Sequence, residues 1–346
     1  MVKISFLGDI VLTGRYNNIF KNGINPFINA EKILNQSDYV VGNLECLAGG
    51  DSGENLLKKP RLKTEMQTLN LLKKIHLSLV SLSHNHVYDN LEDGFTKTLS
   101  FLKSNNIKFL GAALSNNEAQ KPIVFESKGI RIGFLNYVTV DTNPSLPGDS
   151  TVFLNWFGEE KIKKNISEIR ENVDHIVLLL HWGGDFEGSS YPNITQSHVA
   201  RRLIDYGADL IIGHHSHTLQ PYEIYKEKYI FHSLGNFCFD DFICDGKMNY
   251  VWPKRRQNSA IVNAYFSKDK IDCVIQGINN ENCFIRLSET KIDFKNKVYK
   301  MFFKKSILWI VYKFYFKKIE PYFIYLFNPK VTLKVKCITL WGKIKR

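Results

Sequence analysis

Short apolar runs recur along the chain, separated by polar stretches with helical spacing. The clearest cover residues 4–7, 39–41, 77–80, 132–135, 175–180, 210–212 and 229–231, and most are rich in β-branched or aromatic types. Runs this short and this continuous predict strands buried on both faces. Between them, periodic segments at residues 28–34, 64–74, 94–104, 161–172 and 196–206 predict helices, with Asn193-Ile194-Thr195 placed to open the last. Alternation of the two kinds predicts a layered α/β domain. No internal repeat and no low-complexity linker interrupts it.

The polar residues add more than the fold class does. Asp9 follows the first run, and Asn43 and Glu45 follow the second. His84, Asn85 and His86, with Asp89 just beyond, follow the third. His181 ends the fifth and leads into Trp182-Gly183-Gly184-Asp185. His214, His215 and His217 follow the sixth, and Gly235-Asn236 the seventh. In open α/β sheets, ligands bind beyond the carboxyl ends of the strands. Six strand ends presenting such groups make a constellation.

Taken singly, most of these residues have a bland reading. Asp9 could cap the next segment, Glu45 could be a solvated loop acid, and His181 could be satisfied by backbone. Gly213-His214-His215-Ser216-His217 is harder to dismiss. Histidines two apart in an extended segment project to one side, so His215 and His217 are expected to share a site, with His214 facing away. Gly213 would admit an unusual turn, and Gly183 with Gly184 would let a ligand approach closely. Carboxylates, an Asn and three His together suit Mn, Fe or Zn better than Ca or Mg. No HExxH is present, which argues against a zincin-type protease. Two such metals sharing a carboxylate would clamp substrate oxygens and activate a water, and a neighbouring protonated His could serve the leaving oxygen.

Charge changes the picture only at one end. The formal net charge is +12. Residues 295–346 hold thirteen Lys and one Arg against Glu320 alone, a net +13, which leaves residues 1–294 at −1 by difference. The basic character belongs to a tail. Six scattered cysteines without a CxxC pair argue against a zinc ribbon and for a reduced setting. The N-terminus reads as a strand and not as a signal peptide, so the expected location is cytoplasmic, with a peripheral place at the inner membrane face as a further option.

These residues resemble the capsule-synthesis protein CapA family (poly-γ-glutamate cap proteins), a branch of the calcineurin-like metallophosphatases. The resemblance runs from about residue 2 to residue 240. It covers Phe6-Leu-Gly-Asp9, Gly42-Asn-Leu-Glu45, Ser81-Leu-Ser-His-Asn-His86 with Asp89, His181-Trp-Gly183, Gly213-His-His-Ser-His217 with Gln220-Pro221, and Ser233-Leu-Gly-Asn-Phe237. It implies a four-layer α/β/β/α sandwich over residues 1–290, followed by the basic tail at 291–346. Asp9 and His217 would hold one metal, Asn85, His181 and His215 a second, and Glu45 would bridge them. His86 would be the proton donor or a transition-state stabiliser. His84, Asn43, Asp89, Asp185 and Asn236 stand as accessory candidates. Three positions depart from the pattern: Val11 where the superfamily has a His, His84 where the family has Asn, and Ser216 where it has Pro.

The implied function is a metal-dependent, phosphoesterase-like hydrolase in synthesis or export of a capsular or other surface polymer. Amide-bond chemistry on poly-γ-glutamate and a non-catalytic, membrane-docked assembly factor are the alternatives. The expected partner is an anionic or sugar-containing polymer or its precursor, gripped by loops at residues 141–159 and 240–256 that carry Trp156, Trp252, Arg255 and Arg256. In the tail, lysines interleave with aromatics. That pattern suits an anionic membrane surface, a helical cover on the domain, or nucleic acid, for which no motif is present. Pro321 and Pro329 would break a long helix there.

Overall fold

The computed structural model describes residues 1–244, 248–250, 252–288 and 306–319. The chain lays down four strands of one sheet, all six of a second, and then returns to the first. The opening strands are β1 (Val2–Val11), β2 (Tyr39–Leu44), β3 (Leu79–Ser81) and β4 (Lys108–Leu110). The second sheet holds β5 (Ile123–Ser127), β6 (Ile130–Val138), β7 (His175–His181), β8 (Leu210–His214), β9 (Tyr222–Tyr225) and β10 (Lys228–Phe231). The chain then adds β11 (Asn236–Phe239), β12 (Asn258–Phe266), β13 (Ile271–Glu281) and β14 (Phe284–Leu287) to the first.

The first sheet runs β14-β13-β12-β1-β2-β3-β4, and the second β9-β10-β8-β7-β6-β5. β1 to β4 are mutually parallel, as are β6, β7, β8 and β10. β1 changes partner halfway: Val2–Phe6 pair antiparallel with β12, whereas Asp9–Val11 pair parallel with β11. That switch brings Asn236 level with Asp9.

The facing sides of the sheets meet in one core, in which Ile4, Phe6, Phe134, Val177, Leu179, Ile212 and Val262 are buried. Phe6 and Phe134 approach to 6.4 Å between ring centroids. Each such side chain contributes about 1.5–3 kcal/mol by leaving water. Outside the first sheet pack the helices Arg15–Lys21, Ile28–Leu34 and Leu91–Ser104; outside the second pack Glu159–Arg170 and Ile194–Asp205. This is the expected four-layer α/β/β/α sandwich.

The differences from expectation are local. Met66–Ile75 is a 3-10 helix. Leu91–Ser104 starts three residues early, with Glu92 and Asp93 in its first turn, where acids favour a helix. Asn193 opens Ile194–Asp205 through a full capping box with Gln196. No helix among the described residues is long and apolar enough to cross a membrane. Of the tail, Ser306–Phe314 is an α-helix continued by one wide turn at Tyr315–Ile319. The remainder, including Pro321 and Pro329, lies outside the described residues.

Candidate metal centre

The parallel strands of both sheets end at one edge, and there the polar residues converge. Asp9, near the end of β1, is fully buried. Its Oδ1 accepts from Asn43 Nδ2 at 2.9 Å and lies 3.3 Å from His214 Nδ1. Its Oδ2 lies 3.2 Å from His217 Nδ1. Glu45, just past β2, is also fully buried; its Oε1 lies 3.6 Å from His181 Nε2 and 3.7 Å from His217 Nε2. His181, ending β7, approaches Asn85 Oδ1 at 2.9 Å and Asn43 Nδ2 at 3.3 Å. The His181 and His215 rings stand 4.7 Å apart.

Glu45, His215 and His217 each present a donor atom within 4.8 Å of the others. Neither carboxylate oxygen of Glu45 and neither ring nitrogen of His215 has a hydrogen-bond partner among the described residues. Buried polar atoms are costly to leave unsatisfied, and four together are explained by a cation bound among them. The residues present therefore fit a divalent metal. Asp9 lies on the Nδ1 side of His217, where Asn236 Oδ1 also approaches at 2.9 Å, while Nε2 faces Glu45. The better-formed donor set is thus the one around Glu45. At Val11 the side chain is apolar and buried, and it supplies no ligand.

Electrostatics agree at His181 and His215. Burial pushes the Glu45 carboxyl well above its ordinary range, only partly opposed by His217. Burial and the neighbouring His215 hold His181 well below its usual value, and burial takes His215 down to about 4. Both rings are thus neutral, as metal ligation requires. Against desolvation, Glu45 and Asp9 raise His217 to about 9. Desolvation is likewise outweighed at Asp9, where His214 and His217 keep the carboxyl well below normal.

His86 stands at the margin of the cluster. Its Nδ1 meets Asp89 Oδ2 at 2.6 Å, which leaves Nε2 as the nitrogen open to a substrate. His84 accepts the His86 amide at Nδ1 and is held neutral by burial, with a pKa of about 3.

Several expectations need correction. His215 and His217 are not in an extended segment: their φ angles are 91° and 53°, a left-handed backbone that non-glycine residues seldom adopt. Two such residues store about 1–3 kcal/mol each. His214 does not face away; it is turned to Asp9. Gly213 is needed for room and not for a turn, because a Cβ there would fall 2.0 Å from the His232 carbonyl oxygen. The approach at Gly184 is by the chain itself: its Cβ would meet Asp141 O at 1.9 Å.

Asp185 is not brought into the centre; it is exposed and pairs with Lys317 at 3.6 Å. Glu187, two residues on, is exposed as well, but its charge reaches His215 and His217. Desolvation is outweighed by His215, His217, Arg256 and His86, which hold its carboxyl below normal. Its sequence signal is slight, an acid in the loop behind His181. Trp252 is buried against His217 and Phe239, at 5.4 Å and 4.8 Å between rings, so it supports the ligand instead of gripping a polymer.

Comparison with known proteins agrees with this geometry. The family model for "Bacterial capsule synthesis protein PGA_cap" matches residues 3–241. The PGA biosynthesis protein CapA of Bacillus subtilis is 31% identical over 283 residues, covering 78% of this chain and 69% of that protein. The capsule biosynthesis protein CapA of Bacillus anthracis is 28% identical over 327 residues, covering 88% and 74%. In structure, a hypothetical protein from Thermus thermophilus is similar, with a TM-score of 0.51 at 14% identity, covering 83% of this chain and all of that one. With the family model spanning the whole second sheet, five strands of the first and every strand end of the centre, the chain belongs to the bacterial capsule synthesis PGA_cap family.

Proposed function

We propose that this protein is a metal-dependent hydrolase acting on a phosphoester or related bond during synthesis or export of a surface polymer. The convergence of Glu45, His215 and His217 on a space bounded by unpaired donor atoms carries the reading. Glu45, Asn85, His181 and His215 would hold one divalent ion of the Mn, Fe or Zn class, and Asp9 with His217 a second, sharing Glu45. Bound there, the ions would polarise substrate oxygens and lower the pKa of a water. Asn43 positions Asp9 and His181 together, and Asn236 orients His217. His86, held by Asp89, would give its Nε2 proton to the leaving oxygen.

Residues 1–290 serve as the hydrolase domain and 291–346 as an appended basic segment. The names of the relatives support a polymer-related role; the partner in this reading is an anionic or sugar-containing polymer or its precursor, and no nucleic acid is expected. They also favour a second reading, amide-bond chemistry on a poly-γ-glutamate-like polymer at the same centre.

The tail helix supports peripheral attachment to an anionic membrane at the cytoplasmic face. Trp309 and Phe316 pack on Phe186, and Tyr312 bonds Ser189 at 2.7 Å. Ile307, Ile310, Val311 and Phe314 form a stripe on the other side, each at least 60% exposed. Metal analysis of the purified full chain, with turnover of an aryl phosphate by wild type and His86→Ala, tests the enzyme reading. Absence of bound transition metal would reject it, leaving the non-catalytic assembly role; metal with no effect of His86→Ala would remove the proton donor.

A further inference from the structure

Lys58 is only 4% exposed, yet no carboxylate among the described residues pairs with it. Lysines are seldom buried without a partner. Its Nζ donates one hydrogen bond, to the Asn143 carbonyl at 2.7 Å. An ammonium has three donors, so two are left. Asp89, Glu45 and Glu187 are near enough for their charges to act on it. None of the three forms an ion pair with it: Asp89 Oδ2 is engaged by His86 and by the Leu62 amide at 2.6 Å, Glu45 belongs to the metal set, and Glu187 acts only through its charge.

The placement is built. Asn55 donates its amide to the Asp89 carbonyl at 2.9 Å and its side chain to Ser145 O at 2.6 Å. Arg61 Nη1 donates to the Lys58 carbonyl at 2.9 Å. Asp89 therefore fixes His86 and both flanks of the loop that carries Lys58. The segment of Asn143 is itself tied back to the centre, since the Thr139 amide donates to the His181 carbonyl at 3.0 Å.

We infer that Lys58 is an oxyanion-recognition point beside His86, its spare N–H groups receiving a non-reacting oxygen of a substrate phosphoryl or carboxylate group. This deepens the proposed hydrolase reading and rests on it for the place of the substrate. A fixed ammonium would orient the anion against His86 and offset the acids around it.

The test is binding, which is separate from turnover. The full chain, loaded with Mn, is titrated calorimetrically with inorganic phosphate and, in a parallel arm, with acetate. Whichever oxyanion the wild type binds should bind about tenfold to a hundredfold more weakly to Lys58→Met, with metal content unchanged, and nearly normally to Lys58→Arg. If Lys58→Met does not fold, Lys58→Gln, which keeps a donor for the Asn143 carbonyl, carries the same comparison. Unchanged affinity in the uncharged variant, or no binding of either anion by wild type, overturns the inference. Failure of the hydrolase reading looks different: the anion binds through Lys58, but no ester is turned over.

Discussion

Asp89 Oδ2 stands 2.6 Å from His86 Nδ1, with both side chains almost entirely buried. A carboxylate in this place fixes the orientation of the ring, so proton delivery from Nε2 depends on Asp89 without Asp89 touching the substrate. General acid catalysis is worth about 10²–10⁴-fold. His86→Ala should lower kcat by that order, and Asp89→Asn by roughly tenfold or more. Because the two act as a unit, the double variant should be no slower than His86→Ala alone. Multiplicative losses in kcat, at equal metal content, would show that Asp89 acts elsewhere.

Glu45 is a buried carboxylate whose oxygens lack any hydrogen-bond partner among the described residues. Without a cation this is a liability, and with one it is the shared ligand. Glu45→Gln should therefore change sign with metal. Metal-free, the variant should be about 1–3 kcal/mol more stable than wild type, since a neutral amide is cheaper to bury. With metal, wild type should gain stability by mass action and Glu45→Gln much less. Calorimetric melts of both proteins with and without Mn measure this; parallel gains on metal addition would remove Glu45 from the ligand set.

The strands at the centre are legible in sequence because they are buried on both faces and read as unbroken apolar runs. β13 is not, because it alternates between buried and exposed residues at the sheet's outer part, and its polar face hides it. At the centre, residue identity is legible and backbone shape is not. The spacing of His215 and His217 suggests one side of a strand, whereas a left-handed turn brings them together. Asp185 is a candidate by its nearness to His181, but the loop turns it outward, where Lys317 pairs with it. Lys58 carries no sequence signal, since only long-range packing distinguishes a buried lysine from the many exposed ones.

His232 predicts acid sensitivity independent of metal. Burial, with a smaller contribution from Arg201, lowers its pKa from 6.5 to about 3, so the folded protein keeps it neutral. Between those values the unfolded chain binds a proton that the folded one refuses, so stability falls as pH drops below 6.5. The slope is about 1.4 kcal/mol per pH unit, or about 2 kcal/mol by pH 5. Urea unfolding of the metal-free protein at pH 7.5 and pH 5 should show a smaller loss for His232→Gln than for wild type. An equal loss in both would mean that His232 is protonated in the fold.

The tail helix presents two apolar faces with different roles, and they can be separated. Phe316 is 9% exposed and stacks on Phe186 at 5.7 Å. Phe186 belongs to the loop that carries Glu187, so this face anchors the helix to a wall of the metal centre. Phe316→Ala should loosen that contact by about 2–4 kcal/mol, seen as faster amide exchange across residues 184–191. Ile310 and Phe314 are 60% and 61% exposed and touch water instead of the domain. With Lys313 and Lys318 nearby in the chain, they suit the headgroup region of an anionic bilayer. Ile310→Glu with Phe314→Glu should leave the melting temperature and exchange near wild type but abolish sedimentation with vesicles rich in anionic lipid. The lysine contribution predicts that wild-type binding weakens as salt rises. Equal sedimentation of wild type and the double variant would assign this face to something other than lipid, while leaving the Phe316 anchor intact.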